Sequence, residues 1–191
     1  MEQVPRIETE RLLLTLPSGE VTPRFTAYAI ENEPHLARWE APRPDGYFTH
    51  AFWQRRIERA RDDYRRDIAI RLAIFHRSDP QGPLLGQLNL NQIVRGAFLA
   101  ATLGYSIDHR VEGTGMMTEA LRAVIPFAFN ELGLHRLMAN YIPTNERSGR
   151  LLRRLSFVVE GYARDYLFIG GAWRDHILTA LTNPGPLPPS V

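Results

Sequence analysis

Two hydrophobic rhythms alternate along the chain, and the points where one gives way to the other mark the elements. Residues 11–16 are a short apolar run before Pro17-Ser18-Gly19, which predicts a first strand closed by a turn. Thr22-Pro23 predicts an N-cap with proline in the first helical turn, and Glu33-Pro34 should end that helix near Asn32. Thr49 can cap a second helix reaching about Asp67, with Trp53, Ile57, Ala60 and Tyr64 as its apolar stripe. On its outer face Arg59 with Asp63 and Asp62 with Arg66 are spaced for ion pairs four residues apart. Residues 68–76 and 84–94 then alternate as a hairpin, in which Asn89 and Asn91 share one face. Residues 98–107 form the next strand.

A long helical stripe follows: Met117, Ala120, Leu121, Val124, Ile125, Ala128 and Leu132 recur at steps of three and four. Pro126 predicts a kink and Gly133 a C-cap. Residues 136–142 read as a strand, and Asn145 opens a short helix carrying Ser148, Leu152 and Leu155. Residues 157–169 and 173–181 predict a hairpin across Gly170-Gly171. Residues 1–183 are expected to form one domain, and the proline-rich residues 184–191 a disordered tail.

The most informative stretch is residues 103–122. An apolar strand ending at Ile107 runs into Asp108-His109-Arg110-Val111-Glu112, and Gly113 and Gly115 then open the long helix. A helix N-terminus behind a glycine turn presents unpaired backbone N–H groups and the positive end of the helix dipole, which together favour an anion. The glycines let a phosphate approach the backbone. Taken alone, such a turn can also be a ligand-free connection. No Gly-Lys-Ser/Thr follows, so this is not a P-loop; a third glycine is missing, so it is not a dinucleotide fingerprint.

Composition narrows the chemistry. The 191 residues contain no cysteine, which removes a disulfide framework, a thiol nucleophile and a Cys-based zinc site. All 23 basic residues are arginine, and the formal net charge is only +2. An arginine cannot act as a general base. The solvated-face reading of the second helix is therefore preferred to an RNA- or ribosome-facing patch. No run of about 18 apolar residues or N-terminal apolar core points to membrane insertion or export, so a cytoplasmic protein is expected.

Arg110-x-x-Gly113-x-Gly115 after Tyr105-Ser106-Ile107 resembles the acetyl-CoA signature of the GNAT N-acetyltransferases. The run from Leu134 through Asn140-Tyr141-Ile142-Pro143-Thr144-Asn145-Glu146-Arg147-Ser148-Gly149 resembles, within that family, the RimJ-type enzymes that acetylate the N-terminal alanine of a small-subunit ribosomal protein. So do Glu160-Gly161-Tyr162-Ala163-Arg164-Asp165-Tyr166 and Trp173-Arg174-Asp175-His176. The resemblance implies an α/β GNAT fold: one mixed sheet with helices on both faces and a splayed strand feeding a pyrophosphate loop. It implies acetyl-CoA as donor, no metal, and a ribosomal-protein N-terminus as acceptor, with the ribosome or its precursors as a further partner and a monomer or weak homodimer as the assembly. Coenzyme A would lie on Arg110, Gly113, Thr114, Gly115 and Met116, with its pantetheine arm along Tyr105, Ser106 and Ile107 and against Asn145 and Ser148.

Many GNAT enzymes carry a thiolate-protonating tyrosine seven residues after that asparagine, where this chain has Leu152. Ser148 then becomes the candidate for thiolate stabilisation, with helix capping as its alternative role. Ser156 replaces a usual glycine and is strained if its φ is positive. Direct attack by the amine on the thioester is implied. About 10–20% of an N-terminus is already neutral at pH 7, whereas a lysine needs about 4.6 kcal/mol to lose its proton. Positioning and an oxyanion donor, expected at the Ile107 N–H, then carry much of the catalysis. Glu40 and Asp165 are favoured as base over Asp108 and Glu112, which sit beside the phosphates. Trp39, Glu40, Asn89, Asn91 and Tyr162 are expected to contact the acceptor, and His109 and His176 to be structural. Acetylation of a small-molecule amine and a catalytically silent CoA-binding ribosome-assembly factor are the alternatives.

Overall fold

The computed structural model describes residues 4–185; residues 186–191, most of the expected tail, lie outside it. Strands β1 (Arg6–Glu8) and β2 (Leu12–Thr15) precede helices α1 (Thr22–Leu36) and α2 (His50–Arg65). Strands β3 (Ile70–His76), β4 (Gly86–Val94) and β5 (Ala100–Ile107) follow, then helix α3 (Met116–Pro126), β6 (Arg136–Met138), helix α4 (Glu146–Arg154), β7 (Val158–Ile169) and β8 (Ala172–Thr182). All eight strands form one sheet in the order β1-β2-β3-β4-β5-β6-β8-β7, antiparallel except for β5 with β6.

That parallel pair shapes the molecule. β5 pairs with β6 only at Ala100, Ala101 and Thr102. Beyond Met138 the chain leaves β5 and stays with β8 instead, where Ala139 donates to Thr179 and Tyr141 exchanges two backbone bonds with Ile177. Residues 139–142 therefore do not continue the expected strand. Leu103–Ile107 of β5 is left without a neighbour on that side, and the sheet splays open. A bulge in β4 between Asn91 and Val94, with Gln92 at φ 52°, shifts the β4–β5 register just before the opening.

α3 packs Met117, Ala120, Leu121 and Val124 onto one face of the sheet, against Leu72, Leu88, Leu90 and Leu103. α1 and α2 cover the other face through Phe25, Trp53 and Ile57, packed against Phe75 of β3. Burying such side chains contributes about 1.5–3 kcal/mol each. α1 runs through Pro34 to Leu36 instead of stopping at Asn32. Pro34 and Ile30, whose carbonyl loses its bond to the proline, are both exposed, so water replaces that partner while buried Asn32 and Leu36 hold the helix down. Thr22 is the first helical residue rather than the cap, and its hydroxyl donates to the Gly19 carbonyl. The expected kink at Pro126 takes the form of a π-helical turn over Phe127–Glu131, after which Gly133 adopts φ 64°. Asp63 of α2 is buried and bonds mainly to Arg71 of β3, 1.4 Å closer than to Arg59 (2.5 against 3.9 Å). Part of that helix's charged face is therefore a tie to the sheet.

Candidate functional site

The splay opens into a cavity of about 930 Å³. One end is walled by β5 from Leu103 to Ile107, by the turn at Gly113 and Gly115, and by the start of α3. α4 forms the roof with Asn145, Arg147, Ser148 and Leu151. The other end is the loop after α1, where Trp39, Glu40, Arg43 and Tyr47 meet.

β5 exposes its backbone to this cavity. Asp108 N–H bonds to Leu85 of the β4 side, and strand backbone groups alternate in direction, so the N–H groups of Tyr105 and Ile107 point to the splay. Past Ile107 the chain is fixed by a buried carboxylate. Asp108 is 1% exposed and accepts from Arg110 N (2.8 Å), from Arg110 Nε and Nη2 (2.9 and 2.6 Å) and from Asn32 Nδ2 (3.4 Å). Burial pushes the Asp108 carboxyl up, and the Arg110 side-chain and backbone hydrogen bonds outweigh it and hold the carboxyl low. Asn32 of α1, fully buried, accepts from His109 N–H (2.9 Å). This network sets the 3-10 turn His109–Val111 and aims the chain into Gly113 and Gly115, at φ 82° and 84°.

No acceptor within the described residues takes the N–H groups of Gly113, Gly115, Met116, Met117 and Thr118. They are the open end of α3, and both glycines are exposed. Arg11 and Arg147 flank them: Arg147 Nη2 lies 3.5 Å from where a Cβ of Gly113 would stand, and Arg11 Nη2 3.7 Å from one on Gly115. Arg147, Arg150 and Arg154, at steps of three and four on α4, line the same wall. Sequence reasoning passed over these three arginines, although their helical spacing was there to be read. Bare amides at a helix start, two missing side chains and a guanidinium wall fit a polyanion such as the phosphates of coenzyme A.

The expected cofactor residues divide. Tyr105, Ser106, Ile107, Gly113, Gly115, Met116, Asn145 and Ser148 all line the cavity. Arg110 and Thr114 do not: Arg110 turns its guanidinium to Asp108 and Glu31, and its N–H already bonds to Asp108. The Ser106 hydroxyl accepts from Tyr28 of α1 (3.0 Å) and its backbone pairs with Gln87 of β4, so Ser106 itself turns away from the splay. Asn145, and not Ser148, caps α4, its Oδ1 accepting from Ser148 N (3.1 Å). The Ser148 hydroxyl instead shares a 2.8 Å hydrogen bond with the phenol of Tyr105, whose pKa burial pushes up to about 12 while Ser148 draws it down. Leu152 is buried in the main core.

The acceptor side departs further from expectation. Trp39, Glu40 and Asn89 line the cavity, with Arg38 over the Trp39 ring. Asn89 Oδ1 is enclosed without a partner. Asn91 is outside the lining, beyond which β4 bulges. Asp165 and Tyr162 are corrected as well. They sit on the exposed outer part of the β7–β8 hairpin, where Asp175 accepts from both the Asp165 N–H (2.9 Å) and the Tyr162 hydroxyl. β7 bulges on either side of Tyr162, between Val159 and Gly161 and between Ala163 and Leu167, the second with Asp165 at φ 48°, and neither residue lines the cavity. Glu40 is held by Arg43, which also binds Glu33 at 2.6 Å.

Comparison with known proteins agrees with this architecture. A family model described as an acetyltransferase (GNAT) domain matches residues 11–158. The [ribosomal protein uS5]-alanine N-acetyltransferase of Escherichia coli is 41% identical over 179 residues, 94% of this chain and 91% of that protein. The crystal structure of a ribosomal-protein-S5-alanine acetyltransferase from Vibrio fischeri superimposes with a TM-score of 0.90 at 34% identity, covering 96% of this chain and all of the other. Mycobacterium smegmatis RimJ in complex with CoA-disulfide gives a TM-score of 0.84 at 25% identity over 94% of this chain and 86% of its own. The splayed β5, the glycine turn into α3 and a family model spanning most of its length make this chain a member of the GNAT acetyltransferase family.

Proposed function

We propose that the protein transfers an acetyl group from acetyl-CoA to the N-terminal α-amino group of a ribosomal protein that begins with alanine. The observation that carries it is the opening between β5 and β6, where unpaired strand N–H groups lead directly to the unpaired N–H groups of α3. A pantetheine arm can pair along Tyr105 and Ile107 while its phosphates rest on Gly113, Gly115 and Met116. The similarity to the Escherichia coli and Vibrio fischeri enzymes, whose names state an alanine of ribosomal protein S5, supports the acceptor.

In this reading the Ile107 N–H stabilises the oxyanion as the amine attacks the thioester carbonyl. Trp39 and Glu40 receive the peptide at the far end of the cavity. Ser148, hydrogen-bonded to Tyr105, stabilises the departing sulfur, and Asn145 holds α4 in place while its amide N–H faces the arm. Calorimetry with acetyl-CoA, followed by turnover of an alanine-initiated peptide against a panel of small amines, tests the proposal. Binding with peptide turnover is expected, and preference for a small amine would overturn the acceptor. Ser148→Ala should lower kcat roughly tenfold, as expected for one bond made in the transition state, and leave acetyl-CoA affinity intact. A Ser148→Ala enzyme with full turnover removes Ser148 from the chemistry.

A further inference from the structure

The acids of the cavity wall are each held by a guanidinium. Glu40 pairs with Arg43, Glu112 with Arg147 (2.6 Å) and Glu146 with Arg150 (2.8 Å). His35 stands 3.6 Å from Glu112 at the phosphate end. His176 of β8 differs from all of them. It is 4% exposed, lines the cavity, and makes one hydrogen bond, from Nδ1 to the backbone carbonyl of Arg174 at 3.0 Å. A carbonyl oxygen only accepts, so Nδ1 carries the hydrogen, and in the neutral ring Nε2 then keeps the lone pair. Among the described residues nothing donates to Nε2, and it is not one of the enclosed unpartnered atoms, which are Trp53 Nε1 and Asn89 Oδ1. Nε2 is therefore not sealed in the core, and the residue that carries it lines the cavity.

Its place in the fold suits a reacting amine. The next residue, Ile177, exchanges backbone bonds with Tyr141 (2.9 and 3.1 Å), and the Tyr141 ring lies against Gly149 so closely that a Cβ there would come within 2.8 Å of it. Gly149 follows Ser148, which bonds to Tyr105 across the splay. On the other side, the tip of the β7–β8 hairpin donates from Gly170 N–H to the Glu40 carbonyl (3.1 Å). His176 thus stands on the wall between the thioester end and the Trp39–Glu40 mouth. Tyr166, with ring centroids 5.3 Å apart, and Asp175 beside it are the titratable groups nearest on the hairpin; from the β6 side Tyr141 is opposite Ile177 and so on the other face, and Asn140 shares the face of His176.

The geometry points to His176 Nε2 as the base that takes the proton from the acceptor's α-ammonium group. This rests on the N-terminal acetyltransferase reading above. The ammonium N–H bond breaks toward Nε2, which becomes the imidazolium N–H, and the freed nitrogen lone pair forms the bond to the thioester carbon. The C–S bond then breaks with its electron pair on sulfur. The second proton of the nitrogen reaches that sulfur through the Tyr105–Ser148 pair, and the imidazolium returns its proton to water. The products are the acetamide, free CoA thiol and one released proton.

His176→Asn tests this, because an asparagine amide can still donate to the Arg174 carbonyl but offers no lone pair at the Nε2 position. At pH 7 its kcat on an alanine-initiated peptide should fall by roughly 100-fold or more, with acetyl-CoA affinity within about twofold of the parent. The loss should shrink by about pH 9, where an α-amine is neutral without help. In the unsubstituted protein, nitrogen NMR of labelled histidine should show the Nδ1–H tautomer for the His176 ring, a measurement that does not depend on any variant folding. A folded His176→Asn enzyme with kcat within threefold of the parent, a lowered melting temperature alone, or an Nε2–H tautomer would each overturn the assignment. If the unsubstituted protein binds acetyl-CoA and turns over no peptide, the acceptor reading fails first, before any variant is made.

Discussion

The two ends of the cavity are built on different principles. At the end proposed for the cofactor the free groups are backbone N–H groups of β5, the glycine turn and α3, locked from behind by Asp108, Arg110 and Asn32. At the end proposed for the acceptor the lining is side chains on a loop, Trp39, Glu40 and Arg43, with Glu40 tied to Arg43 and, through its carbonyl, to the hairpin tip at Gly170. Backbone recognition depends on where the chain goes, and few residue types can send it there. Side-chain recognition can be rewritten one residue at a time without moving the backbone. On the proposed function, the fold would thus hold a common donor rigidly and leave the choice of acceptor to a replaceable rim.

The largest break of this contrast is expected at Gly115. With φ at 84°, Gly115→Glu strains the backbone by about 1–2 kcal/mol and sets a carboxylate on the α3 N-terminus. Acetyl-CoA affinity by calorimetry should drop by roughly 100-fold or more, from lost amide contacts and added charge together. Trp39→Ala, at the other end, should raise the peptide KM and leave acetyl-CoA affinity within about twofold. Equal losses of cofactor affinity in the two variants would erase the distinction.

A smaller effect should expose the lock behind the cofactor end. Asp108→Ala removes a buried acceptor of four hydrogen bonds and should cost about 2–4 kcal/mol in urea or thermal unfolding. The sign with pH follows from Asp108 and Glu119. Burial raises both; Arg110 for the first, and Thr9 with Arg11 for the second, outweigh it and hold their carboxyls low in the folded state. A carboxyl depressed by folding contributes stability above its unfolded pKa of about 4 and loses it as pH falls through the folded value. The melting-temperature gap between the parent and Asp108→Ala should therefore narrow below about pH 4. A gap that widens in acid would mean that the carboxylate is not what holds the turn.

The same contrast explains what could be read from the sequence. The glycine turn, the α3 stripe and the Gly170-Gly171 hairpin are constraints on backbone path, and Gly, Pro and periodicity write those directly. Gly133 was legible as a C-cap for that reason, whereas the positive φ at Ser156 was suggested only by the family resemblance. Asn89 and Asn91 were legible as sharing a face, but Asn91 lies opposite Thr102, where β6 still closes the sheet, and where the splay begins is invisible to alternation alone. Asp165 and Tyr162 were misplaced because two bulges in β7 reset which side chains face inward. His176 was expected to be structural because it has no partner at metal spacing. Its one hydrogen bond, to the Arg174 carbonyl, is local, but its place on the cavity wall is set by where β8 runs, a long-range placement that no local pattern carries. β1 was missed because three residues are too few for any rhythm to show.

The smallest effect concerns the joint between the two regions, where α4 gives way to β7. Ser156, exposed and at φ 65°, occupies the left-handed position that ends α4, with its N–H donating to Arg153 O (3.0 Å) and the Phe157 N–H closing on Leu152 O (3.0 Å). A non-glycine residue there costs about 1–2 kcal/mol, and part of that returns as the greater unfolded-state freedom of glycine. Ser156→Gly should therefore stabilise by about 0.5–1 kcal/mol, a rise of roughly 2 °C in Tm for a chain of this size. Phe157 is buried and Leu152 lies in the main core, so relaxing the joint should not shift either neighbour. Affinity for acetyl-CoA and the peptide KM should both stay within error of the parent. A changed peptide KM with unchanged Tm would show that strain at Ser156 sets the angle at which the hairpin carrying His176 meets the cofactor end, and the two regions would then be mechanically coupled rather than separate.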